Sequence, residues 1–128
     1  MDAKSDYLED AILNHVLRNV SLTSPTTVYL ALFTVAPTDV GGGTEVSGGS
    51  YARQAVTFAA PVSGSVSNSG AVTFPLATAD WGTIVAAALF DAVTAGNMLY
   101  YGDLATSKVV ATNDQISFAN GSITVSET

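Results

Sequence analysis

The sequence predicts a mainly β fold: an antiparallel β-sandwich or jelly-roll-like barrel of about seven or eight strands with one N-terminal α-helix. Three observations carry that expectation. Short runs rich in β-branched and aromatic residues recur along the chain, separated by Gly, Asn, Ser or Pro turns every ~8–12 residues. No segment of helical period lies between those runs, which removes the βαβ alternation of a parallel sheet. The one stretch with a helical period stands at the start, over residues 5–19.

In that helix Asp6 is placed to cap, with Glu9 reaching back from three residues on. Leu8, Ile12 and Val16 recur at four-residue spacing, and Leu13 and Leu17 form a second row. With Ala11 they cover well over half the circumference and leave Asp10, Asn14 and Arg18 as the polar remainder. A helix this apolar is expected to be covered on more than one side, by its own β-domain or by a neighbouring chain. His15 is the only histidine and lies among these leucines. Without a second histidine or any cysteine it reads as structural or interfacial, not as a zinc ligand or triad base.

Residues 20–26 are a linker turned by Ser24-Pro25, so residues 1–26 are expected as helix plus linker and 27–128 as a single β-sandwich domain. Residues 27–35 carry no charge and fit a strand covered on both faces. They break into a loop over residues 36–50 that contains five glycines, and a second strand follows over residues 51–58. Loops beyond ~12 residues usually carry a binding role or stay mobile. This one, with Gly41, Gly42 and Gly43 at its tip, is expected to be mobile in the free protein and ordered at a subunit contact. Its Asp39 and Glu45 exclude a phosphate-binding loop, which needs a lysine opening a helix. Arg53 is the one cation inside a predicted strand, and its fork suits bidentate contact with Glu45 or Asp39 of either this chain or another.

Further on, a strand near Val66 turns at Asn68-Ser69-Gly70 and returns over residues 71–74. Trp81-Gly82 enters a strand over residues 83–90, and Thr94-Ala95-Gly96-Asn97 turns a hairpin into residues 98–102. Lys108-Val109-Val110 adds an edge strand, and two short strands, 115–118 and 122–125, are joined by Ala119-Asn120-Gly121. Asp80, Asp91, Asp103 and Asp114 sit at strand ends, where aspartate is an ordinary turn residue and neither a calcium nor a glycosidase spacing is present. Tyr51, Trp81, Tyr100 and Tyr101 read as core or interface anchors, with one of Tyr100 and Tyr101 on each face of the sheet. Stacking on sugar rings is the alternative reading of those aromatics.

Composition narrows the partners. The chain of 128 residues has only 12% charged and 48% hydrophobic residues, so it folds as a globular domain whose surface is in part covered by neighbours. A net charge of -7, with Lys4, Arg18, Arg53 and Lys108 scattered, speaks against nucleic acid and against an anionic membrane. The longest aliphatic block is far shorter than the ~20 residues of a membrane span. The first residues lack the regions of a signal peptide, and the absence of cysteine fits assembly in a reducing cytosol. No cofactor, metal or catalytic set is expected.

The string LALFT.APTD.GGGTEVSGG.YARQAVTF (dots for intervening residues), with VTFP.ATADWGT and LFDA.TAGN.LYYG further on, resembles a family of small tailed-bacteriophage proteins. They are labelled tail-fibre-like or virion structural proteins, and the likeness extends to the N-terminal SDYLEDAILNHVLRN. The resemblance implies a virion component: a non-enzymatic structural protein that decorates or cements the head, or belongs to the collar or tail-fibre attachment. Its partners would be other virion proteins and copies of itself, with the apolar helix favouring a trimer. The alternative is a receptor- or glycan-binding module at a fibre end. The residues expected at partner contacts are Leu8, Ile12, His15, Val16, Asp39, Gly41, Gly42, Gly43, Glu45, Arg53, Trp81 and Tyr101.

Overall fold

The uncharged run forms the centre of the molecule. In the computed structural model, which describes residues 1–127, it is strand β2 (Val28–Val35). Its order in the chain is β1 (Ala3–Lys4), α1 (Asp6–Leu17), β2, β3 (Thr44–Glu45), β4 (Gln54–Val56), β5 (Ser65–Ser67), β6 (Val72–Thr73), β7 (Gly82–Phe90), β8 (Met98–Val110), β9 (Ser117–Phe118) and β10 (Thr124–Ser126). β2 pairs antiparallel with β7, and β7 with β8. Because side chains alternate across a strand, Leu30 and Leu32 enter the main core while Ala31 and Phe33 enter a second cluster on the opposite face. Both faces are therefore dry, which is why the run shows no polar alternation. The fold class is the expected one, mainly β and antiparallel with an N-terminal helix.

The two layers join at both sides. On one side β4 lies against β2, and its chain runs on through a bridge between Phe58 and Asn68 into β5. β5 pairs with β10. On the other side the Met1 amino nitrogen donates to Thr124 O at 2.7 Å, the Ser126 amide donates to Met1 O, and β1 pairs with Tyr100 and Tyr101 of β8. The hydrogen-bonded path thus returns to its start, and the sandwich closes into a barrel. β6 and β9 form a separate ribbon whose neighbour Phe74 is among the most deeply buried side chains.

Several expectations change here. Residues 1–5 belong to the barrel, so the division at residue 26 cuts through it: only α1 and the linker stand apart. The cap of α1 is Ser5, whose Oγ accepts from the Leu8 amide at 3.2 Å and donates to Met98 O. Asp6 is one residue too late, because the buried Ser5 is where the chain leaves β1. Residues 98–102 and 108–110 are one strand, with residues 104–107 bulging opposite Val85 where the register shifts. Asn68-Ser69-Gly70 does not turn a hairpin, since β5 pairs with β10 and β6 with β9. Buried Asn68 instead ties two loops, donating to Gly70 O and Ala119 O and accepting from the Ile123 amide. The strands near residues 115–118 and 122–125 part for the same reason.

Candidate interaction surface

Arg53 organises one end of the second face. Its Nε donates to Glu45 Oε2 at 2.9 Å and its Nη2 to Glu45 Oε1 at 2.8 Å, the bidentate fork its chemistry favours. Its Nη1 donates to Ala92 O and Ala95 O, and the guanidinium lies 3.7 Å from the centroid of Phe90. Phe90 in turn stacks on Phe33, with ring centroids 6.3 Å apart. One side chain thereby fastens the glycine loop, β4 and the turn after β7, all within this chain. Burial would raise the Glu45 pKa, but hydrogen bonds from Arg53 and Tyr51 outweigh it and hold the carboxyl below its ordinary range.

The glycine loop is fastened along most of its length. Thr38 and Gly41 exchange backbone hydrogen bonds, β3 pairs with the end of β2, and the Val46 amide donates to Leu32 O. β3 and β4 share one flank of β2 and leave a gap at Leu32, which the Tyr51 hydroxyl fills. That hydroxyl accepts from the Leu32 amide at 3.0 Å and donates to Glu45 at 2.7 Å. Burial first, and the Glu45 carboxylate after it, push the Tyr51 pKa well up. Gly43 has a φ of 71°, and a Cβ there would stand 2.5 Å from Val35 O. Gly49 accepts the Trp81 indole N–H at 2.9 Å, and a Cβ there would strike that ring. These two glycines serve close approach, not mobility; Val40, Gly42 and Gly48 are exposed, with open space around the latter two.

Asp39, Gly41, Gly42, Gly43 and Glu45 do come together. They line an open groove of about 580 Å³ with Tyr7, Phe33, Phe90, Asn97 and Met98, between the start of α1 and the turn after β7. The Tyr101 hydroxyl donates to Asp39 at its margin. That bond first, then partial desolvation and the carboxylates of Asp39, Asp6 and Glu9, push the Tyr101 pKa up to about 12. The groove is therefore ringed by negative charge, and its arginine is consumed by internal bonds.

α1 meets the barrel through Leu8, which is buried, while Ala11 and Ile12 are half-covered. Leu13, Val16 and Leu17 are 54%, 67% and 73% exposed. Beyond the helix, Asn19 at φ 57° reverses the chain, the Val20 amide donates to Asn14 O, and the Leu22 amide donates to His15 Nδ1. The linker thus folds back along the helix and His15 holds it there. The expectation of a helix covered on more than one side fails within the chain: its far half is bare.

Trp81 stands away from both places. It is buried at the main core, edge-on to Tyr51 at 5.4 Å and to Phe74 at 6.4 Å. It offers no platform to a sugar. The sequence reading missed Phe33 and Phe90 as the groove floor, although both sit in strands it identified. Among the described residues no group of His, Cys, Asp and Glu is placed to hold a metal ion. No helix among the described residues is long and apolar enough to cross a membrane.

No curated protein matches the chain. Residues 3–126 match the model of the family described as "Podophage GP4 fiber I protein gp80". That match spans both the barrel and the helical arm, so the chain belongs to the podophage GP4 fiber I protein gp80 family and is a structural component of a phage virion of the tail-fibre type.

Proposed function

We propose that this protein is a non-enzymatic subunit that acts in several copies on the particle, joined to itself and to other virion proteins through the bare half of α1. The observation that carries this reading is the row Leu13, Val16 and Leu17, exposed on a helix whose first turn is firmly anchored. Monomers rarely leave such rows in water. The non-enzymatic reading is supported by where the polar groups go. Arg53, Glu45, Tyr51, Asp39 and Tyr101 are all spent on bonds that hold loops in place. A trimer is the favoured state, and assembly takes place in the host cytoplasm before or during attachment to the tail fibre, collar or head.

Sedimentation velocity tests the reading. The wild-type chain should sediment as a homo-oligomer, and Leu17→Asp should shift it to monomer without changing its circular dichroism. A compact monomer at every concentration, with the α1 amides protected from exchange, would defeat it. Imaging of the intact particle with a labelled subunit then reads position and copy number.

A further inference from the structure

The segment that closes the barrel is joined to it by an exposed hinge. Ala3 and Lys4 pair with Tyr101 and Tyr100 of β8, and the Ser5 amide donates to Leu99 O at 2.9 Å. The Asp6 amide donates to Asp39 O at 2.9 Å, and Ser5 and Leu8 are buried. The connection from α1 to β2 is of another kind. Residues 18–26 are exposed apart from half-covered Leu22, and the amides of Arg18, Val20 and Leu22 donate to α1, not to the barrel. Pro25 then fixes its own φ and biases Ser24 toward extended backbone, in the open stretch that leads into β2.

We propose that this arm, residues 1–17, is exchanged between copies: β1 and the first turn of α1 of one chain seat on the barrel of the next, round a closed ring. The proposal rests on the multi-copy reading above and states what crosses between subunits. The fold itself names the occupant. The slot along β8 is filled by this segment within the chain, so it fits the same segment of a second copy equally well. Closed and exchanged forms share the β1 pairing and the burial of Ser5 and Leu8, and these contacts do not choose between them. The hinge and the row Leu13, Val16 and Leu17 do. Closed, the chain reverses at Asn19 with φ 57°, a left-handed conformation, and leaves the row in water. Exchanged, the hinge straightens and gives up the exposed Leu22–His15 bond, and the far half of α1 lies between two barrels that cover the row. Residues 18–27 reach ~33 Å when extended, against ~18 Å for α1, so the arm crosses without unwinding. Crowding of copies favours exchange, because closing within one chain is independent of concentration and exchange is not. Leu17→Asp removes the gain from covering the row, so the monomer it yields should be the closed form with its fold intact.

Disulfide trapping tests this. Ala3 and Tyr101 stand directly opposite each other in the β1–β8 pair, and the chain has no cysteine. Ala3→Cys and Tyr101→Cys therefore bring two thiols within bonding reach wherever an arm is seated. Chains carrying only Ala3→Cys are mixed in urea with chains carrying only Tyr101→Cys, refolded together and oxidised. Exchange predicts a covalent heterodimer on a denaturing gel without reductant, in excess over either homodimer. Disulfide spread evenly over homodimers and heterodimers is collision between exposed thiols and overturns the assignment. No heterodimer, in a mixture that still sediments as an oligomer, overturns the exchange and leaves the multi-copy reading standing. A wild-type chain that stays monomeric at every concentration overturns the multi-copy reading itself, and exchange with it.

The double variant gives a second readout. Exchange links chain to chain in a covalent ring, whereas a disulfide confined to single chains shows every arm seated on its own barrel and sinks the proposal. The neighbouring pair Lys4→Cys and Tyr100→Cys repeats both measurements one register position along. One variant that fails to fold therefore does not decide the outcome.

Discussion

At the scale of residues, the second face depends on one guanidinium. Arg53 has a side chain only 8% exposed, against 26% for Glu45, and each of its three guanidinium nitrogens donates a hydrogen bond. Removing one partner of a buried pair leaves the other charge stranded, which costs about 3–5 kcal/mol when both are dry. Partial exposure of Glu45 lowers that figure. Arg53→Met should therefore destabilise the barrel by about 2–3 kcal/mol, measured as a shift of the urea midpoint at constant slope. Arg53→Lys should recover little, because a point charge cannot bridge two carboxylate oxygens and two carbonyls at once.

Glycines give a sharper contrast. At Gly42, with φ 75° and open space around it, alanine meets only the left-handed backbone penalty of about 1 kcal/mol. At Gly43 the same change also drives Cβ into Val35 O, so Gly43→Ala should cost about 3 kcal/mol. Equal losses at the two positions, read by thermal melts, would show that the backbone gives way. The sequence shows five glycines in a row of loop residues but not which of them touch something. That depends on the return of β3 to the end of β2, a contact between residues far apart along the loop. That Arg53 meets an acid of the loop was legible, because a lone strand cation needs one; that the acid is Glu45 of the same chain and not Asp39 is seen only in the fold.

At the scale of elements, α1 is two half-helices with different duties. Leu8→Ala should cost about 2–3 kcal/mol, since that side chain is buried against the barrel. Leu13→Ala and Leu17→Ala should change barrel stability by less than about 0.5 kcal/mol, as surface substitutions do. Their effect belongs in the association constant. If Leu17→Ala melts the barrel as Leu8→Ala does, the far half packs in cis. Helical periodicity states which side chains share a face, and here it states that correctly. It cannot state which body covers the face, because Leu8 and Leu17 lie on neighbouring rows of one helix. The strands near residues 66, 72, 117 and 124 fail in the same way: their existence is local, but their partners are set by Asn68 and by closure of the barrel.

At the scale of the whole molecule, stability should fall in acid, and the sign follows from two carboxylates. Hydrogen bonds from Lys4 and then Tyr100 hold the Glu127 pKa below its ordinary value of 4.5, and Glu45 is likewise lowered. A lowered folded-state pKa means that the unfolded chain binds protons first as the pH drops. The contribution is full above about pH 4.5 and is lost as the pH falls through the lower folded-state values. Glu45→Gln should flatten this acid limb more than Glu127→Gln, because the Lys4–Glu127 pair is more exposed than the Arg53–Glu45 pair and better screened. Equilibrium unfolding at a series of pH values checks the order; a steeper limb in either variant would contradict it.

The closed path of strands has one more consequence. A sheet with a free margin is a template: any extended peptide adds to it, and so does the next molecule, without limit. Here β3 and β4 offer two and three residues, and the outer side of β8 is interrupted by residues 104–107 soon after β1 ends. In the multi-copy assembly proposed above, neighbouring copies would find little free backbone to pair with. Apart from the exchanged arm, they would recognise one another through side chains, and such contacts stop growth only where their symmetry closes. On that proposal, a fibre component built in this way would take its count from the closure of the contact between copies.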